Sequence, residues 1–291
     1  MKMKNGLMIL VRSFIVLTLA LGCFSTAAEP VRITAKVLAV HEGQGQMRVE
    51  VVKSEPLLAG WAATTQVDFN VGLGDVAIAY LDRTIQADAV YYNQRWNLER
   101  IFPIDLSLEC AAVNSSLRLQ TAAQERGTYV KLGMPIPEFV LIDQDGDFVG
   151  ASDFKGRAFV LNFIFTRCRA ATMCPASTAR MAELQRQAGA AGLSQLEFVT
   201  ISFDPEYDSP GILRQYAADF GIELDNFHLL TGSPQVVDDL LHQFGILTRE
   251  EAGTIQHTMA TLLIDASGRV ALRREGQRWQ LQDFLQAAKL L

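Results

Sequence analysis

The sequence predicts a chain of two bodies, a small all-β, barrel-like one followed by an α/β one built on a central sheet. Three observations carry this. Through residues 31–101, short runs alternate apolar and polar side chains, the period-two pattern of half-buried strands. From residue 132 onward, continuous apolar runs alternate with helical segments, which places helices against a largely parallel sheet. The length of 291 residues suits about two domains. With 49% hydrophobic and 20% charged residues, the chain is not a disordered one. Its net charge of −6 gives no basic face for displacing counterions, so no nucleic-acid partner is expected. Four cysteines are too few for a disulfide scaffold of this size.

Residues 1–28 read as a secretory signal. Lys2, Lys4 and Arg12 precede an apolar run over 14–21, and small residues follow at 25–28. The run is too short to span a bilayer, which takes roughly 20 apolar residues. Removing the segment leaves 23 basic against 32 acidic residues, a net charge of −9. Leu19-Ala-Leu-Gly-Cys23 loosely resembles a bacterial lipobox, with Ala20 where a Leu is expected. The alternative fate is therefore a lipid anchor at Cys23, the one membrane link expected. Either way the body is exported, to the periplasm or the outer face of the cytoplasmic membrane, where disulfides form readily.

Residues 29–105 form the first body. Val31, Ile33, Ala35, Val37 and Ala39 share one strand face, as do Met47, Val49 and Val51. Further strands are predicted around Val67 and Phe69, over 87–92 and over 96–101, with turns at 42–45 and 72–74. About 70 residues can just close one hydrophobic core. Trp61 and Trp96 read as packing residues. Residues 106–131 are polar at 114–116 and 124–127 and read as a linker with at most a helical turn. Cys110, at its start, reads as a small buried hydrophobe.

Residues 132–291 form the second body. The run 158–165 is nearly all apolar, as in a strand buried on both faces. Pro175 opens a helix with Met181 and Leu184 on one face. A second buried strand covers 196–202. Ser209-Pro210 and Ser233-Pro234 each combine an N-cap with a proline in the first turn, starting helices on either side of a strand at 227–230. A hairpin joins 260–264 to 269–274 across Asp265-Ala-Ser-Gly268, and 279–290 is a closing amphipathic helix. This order is also that of the thioredoxin fold with an inserted unit.

Cys168 and Cys174 follow the buried run 158–165. Cys174 is expected at a helix N-cap, where the helix dipole favours a thiolate, and Arg167 and Arg169 flank Cys168 with the same effect. Thiolates serve both redox chemistry and soft-metal binding. A structural disulfide over so short a loop would add little stability. Thioredoxin-type oxidoreductases separate their cysteines by two residues, whereas five intervene here, and no proline adjoins the strand at 260–264. Peroxiredoxins place a Thr three residues before the reactive Cys, whereas Thr166 and Thr172 each stand two before. His257 lies three residues ahead of the strand at 260–264, a segment that passes beside the dithiol in this fold. Two thiolates and one imidazole make a trigonal set well suited to copper. His228 and His242 read as ordinary structural histidines, and Met173 and Met181 as core packing.

Residues 132–291 resemble the Sco/SenC family of thioredoxin-fold copper proteins that serve cytochrome c oxidase. The resemblance rests on Phe163-Ile-Phe-Thr-Arg-Cys168, Cys174-Pro175, Ile201-Ser-Phe-Asp-Pro-Glu-Tyr-Asp-Ser-Pro210 and His257-Thr-Met-Ala-Thr-Leu-Leu-Ile-Asp265 with Gly268-Arg269. It implies a copper ion held by Cys168, Cys174 and His257 and delivered, or its electrons delivered, to the CuA centre. It also implies that Asp204 stands just behind the ligands. The commonest family motif has three residues between the cysteines and a proline after the first, so the five found here and Arg169 depart from it and make a dithiol–disulfide role more plausible. The first body faintly resembles the CusF-type copper barrel through its strand pattern and Trp96-Asn-Leu-Glu-Arg-Ile-Phe-Pro103. Residues 54–71 lack the His and Met ligands of those barrels, and no metal site is expected there. The leading expectation is a copper metallochaperone rather than a turnover enzyme, with the CuA subunit or another copper or thiol client as partner. The alternative is a thiol:disulfide oxidoreductase using Cys168 and Cys174 as a redox pair, and a peroxidase is a weaker third.

Overall fold

The computed structural model describes residues 29–56, 61, 63–251 and 254–291. The expected signal segment, with Cys23, lies outside these residues.

In the first body, β1 (Val31–His41), β2 (Gln46–Glu55) and β3 (Thr65–Val71) are followed by a one-turn helix α1 (Leu73–Val76), then β4 (Thr84–Tyr92) and β5 (Arg95–Pro103). The strands close into a barrel in the order β1-β2-β3-β5-β4, all neighbours antiparallel except β3 and β5. The alternation read from the sequence is the inside–outside alternation of the barrel: Ile33, Ala35, Val37, Met47, Val49, Val51, Phe69 and Ile85 fill its core. Trp61 packs edge-on to Phe69 and against Trp96. The barrel closes where Asn70 and Val71 of β3 pair with Asn97 and Leu98 of β5.

The expected linker at 106–131 contains instead a 16-residue helix, α2 (Leu108–Ala123), capped by Ser107, whose Oγ accepts from the Cys110 N–H. Its apolar residues do not fall on one face, since Leu108 and Leu119 are exposed, so the apolar period is weak; only Leu117 and Thr121 are buried. Side-chain bonds to distant residues hold it. Asn114 both accepts from and donates to the Val140 backbone, Arg118 pairs with Asp239, and Gln243 donates to Thr121. Cys110 is half-exposed rather than buried.

The second body begins with a short hairpin, β6 (Val140–Ile142) and β7 (Phe148–Gly150). Then come β8 (Phe159–Ile164), α3 (Cys174–Ala190), β9 (Glu197–Ser202), α4 (Pro210–Asp219), β10 (Phe227–Leu230) and α5 (Pro234–Phe244). A second hairpin, β11 (Thr248–Glu251) and β12 (Thr254–His257), leads into β13 (Ala260–Ile264), β14 (Val270–Glu275) and α6 (Leu281–Ala288). The main sheet runs β10-β9-β8-β13-β14, with β8, β9 and β10 parallel and β13 antiparallel to β8. Every residue of β8, β9 and β13 is buried, so both faces of the sheet are covered, as the apolar runs require. The two hairpins lie in stretches too short or too polar to show a strand period.

The two bodies meet backbone to backbone. A Cβ on Gly74 of α1 would fall 1.9 Å from the Gly211 carbonyl oxygen of α4, and one on Gly211 would fall 2.3 Å from the Asp75 carboxyl. Only glycine permits this approach. Nearby, Arg83 donates to the Gly146 carbonyl at 3.1 Å and lies over the Phe148 ring.

Candidate metal centre

Strand β8 delivers the first cysteine. Beyond its last residue, Thr166 is tied to the buried Asp208 by both its backbone N–H and its hydroxyl, and Ser202 of β9 donates to the same carboxylate. Burial pushes the Asp208 carboxyl up to about 6. These bonds lock the exit of β8 to the turn after β9 and set where Cys168 starts. Arg167 donates through Nε and Nη2 to one oxygen of Asp204, at 2.8 and 2.6 Å, and lies 4.4 Å over the Tyr207 ring. Asp204 therefore reaches the site by fixing Arg167, the residue before Cys168, and draws part of that guanidinium's charge away from the thiol.

Helix α3 delivers the second cysteine. Cys174 is its first residue and Met173 holds the N-cap position, one residue earlier than the sequence suggested. The Cys174 side chain is completely buried, and burial pushes its thiol well above the ordinary range; the neighbouring Cys168 sulfur acts in the same direction. The expected acidification of Cys174 by the helix start is outweighed, because removing a thiolate from water costs more than a helix end returns. Cys168 is half-exposed, and both cysteines are free thiols.

The hairpin β11–β12 delivers the histidine. His257 ends β12, and its Nδ1 lies 3.0 Å from the Thr258 carbonyl oxygen. A carbonyl only accepts, so Nδ1 carries the proton and Nε2 presents a lone pair. That Nε2 is 3.4 Å from the Cys174 sulfur. Phe203 and Phe165 pack around the ring, at 4.5 and 5.8 Å between centroids, and burial lowers the imidazole pKa. The ring is thus neutral, oriented and backed by a hydrogen bond, the usual state of a metal-ligating histidine.

The donor atoms of Cys168, Cys174 and His257 all lie within 4.8 Å of one another. Metal–donor bonds of about 2.0–2.3 Å put donors on a trigonal ion roughly 3.5–4 Å apart, so a small contraction would close the set on an ion. Among the described residues, this is the one group of three such side chains that could hold a metal. Its donor set of two sulfurs and one imidazole nitrogen fits a soft or borderline ion. Met181 is fully buried in the core, as expected. Met173 is half-buried and lines, with His257, Thr258, Met259 and Gln277, a cavity of about 380 Å³. Sequence reasoning missed the Phe203 and Phe165 wall and this cavity; the aromatic residues beside Thr166 and Asp204 were the one local signal.

Residues 133–285 match the family model described as SCO1/SenC. The SCO1 protein homolog of Bacillus subtilis (strain 168) is 32% identical over 143 residues, covering 48% of this chain and 72% of that relative. A putative copper-binding protein of Stutzerimonas stutzeri is 32% identical over 111 residues, covering 38% of this chain and 52% of the relative. Among solved structures, a SCO1/SenC family lipoprotein from Bacillus anthracis str. Ames aligns with a TM-score of 0.52 at 32% identity, covering 55% of this chain and 96% of that one. The family match falls on the α/β body and begins beyond the barrel and α2.

Proposed function

The chain belongs to the SCO1/SenC family, and from that premise we propose that it is an exported metallochaperone that carries one copper ion on Cys168, Cys174 and His257. The observation that carries this reading is the convergence of two free sulfurs and a neutral, backbone-anchored imidazole within 4.8 Å. The copper-binding designation of the Stutzerimonas relative supports the choice of metal. The client is the CuA subunit of cytochrome c oxidase or another copper or thiol protein, as the family resemblance implies. The lipoprotein description of the Bacillus anthracis structure supports export, with anchoring through Cys23 as one form of it. Asp204 contributes by holding Arg167.

The geometry orders the transfer. Cys168 is half-exposed and Cys174 is buried, so an incoming client donor displaces the Cys168 sulfur first, while Cys174 and His257 retain the ion until the client set is complete. Neutral His257 gives up no proton on binding, whereas the Cys174 proton must leave.

The two free thiols also support a second reading, thiol:disulfide exchange. There Cys168, the half-exposed one of the pair, attacks a client disulfide as its thiolate and releases one client thiol. Cys174 then displaces the second client sulfur, which leaves with the Cys174 proton, and closes the Cys168–Cys174 disulfide.

Titration of the reduced chain with copper, beside His257→Ala, separates the two. A copper protein binds one equivalent, shows an intense thiolate-to-Cu(II) band, and loses Cu(II) affinity by at least about 100-fold without the imidazole, while two thiolates still hold Cu(I) linearly. Unchanged Cu(II) affinity and spectrum in His257→Ala, together with fast disulfide reduction, would transfer the assignment to exchange.

A further inference from the structure

Resting on the copper reading above, we propose that Met173 is an additional copper ligand, a thioether at the mouth of the site that first receives Cu(I) and passes it to Cys168, Cys174 and His257. Position in the fold is the first argument. Met173 directly precedes Cys174, and its backbone is held on both sides: its N–H donates to the Ala170 carbonyl at 2.8 Å and its carbonyl accepts from Ser177 at 2.9 Å. The residue is thereby anchored where the exposed loop 169–172 meets the buried cysteine.

Burial is the second argument. Met47 and Met181 are completely enclosed in the two cores, as apolar side chains should be. Met173 is not: it remains half-buried and lines the cavity of about 380 Å³ together with His257, Met259 and Gln277. Exposed Thr258 and Glu275 line the same cavity, so it opens to solvent beside the histidine ligand.

Chemistry is the third. A thioether is neutral, soft and weakly held, and it binds Cu(I) without releasing a proton. Cys174, by contrast, is completely buried, so the half-buried thioether beside the open cavity meets an incoming ion before that sulfur does. With Cys168, Cys174 and His257 as the other donors, the Met173 thioether would supply a further soft, weaker sulfur ligand. No electron moves in this step; one thioether–copper bond forms as a bond to the donor's ligand breaks.

The test uses the full chain labelled with [13C-methyl]methionine, reduced and loaded with one equivalent of Cu(I). The Met173 methyl resonance, assigned with Met173→Leu, should move on loading, while that of exposed Met134 stays in place. Copper X-ray absorption should count three sulfurs in the parent and two in Met173→Leu. That variant, a volume-conserving swap that keeps the fold, should still bind one copper per chain but acquire Cu(I) from a bicinchoninate donor several-fold more slowly. A loaded parent in which the Met173 methyl is unmoved and two sulfurs are counted overturns this inference and leaves the Cys168–Cys174–His257 reading standing. A parent that takes up no copper overturns both.

Discussion

Replacing Asp75 with Asn should make the chain more stable above neutral pH and leave it unchanged in acid. Asp75 lies on α1 where the barrel meets α4, almost fully buried, with its carboxyl against Gly211 and one hydroxyl partner, Tyr80, at a long 3.5 Å. Burial pushes its pKa from 3.8 up to about 7. Between those two values the folded chain holds a proton that the unfolded chain has released, so stability falls as pH rises through this window, and the whole penalty is present above it. Each unit is about 1.4 kcal/mol, so the window is worth at most on the order of 4 kcal/mol, and local relaxation should leave roughly half. Asn removes the ionisation. At pH 8 the variant should melt roughly 4–8 °C above the parent, given about 2–4 °C per kcal/mol for a chain of this size, and at pH 4 the two should coincide. Asp143 and Asp208 are also raised by burial, each to about 6. They tilt both curves alike, and the difference between variant and parent isolates Asp75. Calorimetric melts at a series of pH values check this. A constant offset between the two curves, or none at any pH, would refute the claim that burial at the junction holds the Asp75 proton.

Gly74→Ala should separate the two bodies: its Cβ would fall 1.9 Å from a backbone oxygen that cannot yield as a side chain would, at a cost of about 1–3 kcal/mol. A lower melting temperature and new protease cleavage between barrel and α/β body are expected, and an unchanged melt and digest would contradict the contact. Copper affinity should rise at least tenfold per unit of pH between 6 and 8, because the ion displaces a proton from Cys174 whose pKa burial has raised. Competition against a chelator of known pH dependence measures it, and a flat profile would exclude Cys174 thiolate as a ligand.

Much of this protein is legible in one sequence, where local pattern and local structure coincide. The alternating faces of β1 and β2, the unbroken apolar run of β8 and the Ser-Pro starts of α4 and α5 each encode their element within a few residues. The candidate site was legible as well, since Cys168, Cys174 and His257 are side chains of soft-metal chemistry at positions that the strand and helix order places together, and their donor atoms do meet. The tertiary structure alone decided the rest. Helix α2 depends on Asn114, Arg118 and Thr121 finding partners more than 25 residues away, which no local period announces. The β11–β12 hairpin that aims His257 is set by cross-strand pairing, which places His257 opposite Thr248. Arg167 and the helix start pointed to acidic thiols, but whether Cys174 ionises is set by how completely the surrounding core encloses it, and a helix end cannot offset lost solvation. Gly74 and Gly211 look like ordinary loop and helix-start residues until α1 and α4 meet. In each case the deciding energy belongs to a contact between distant segments, which the order of residues does not display.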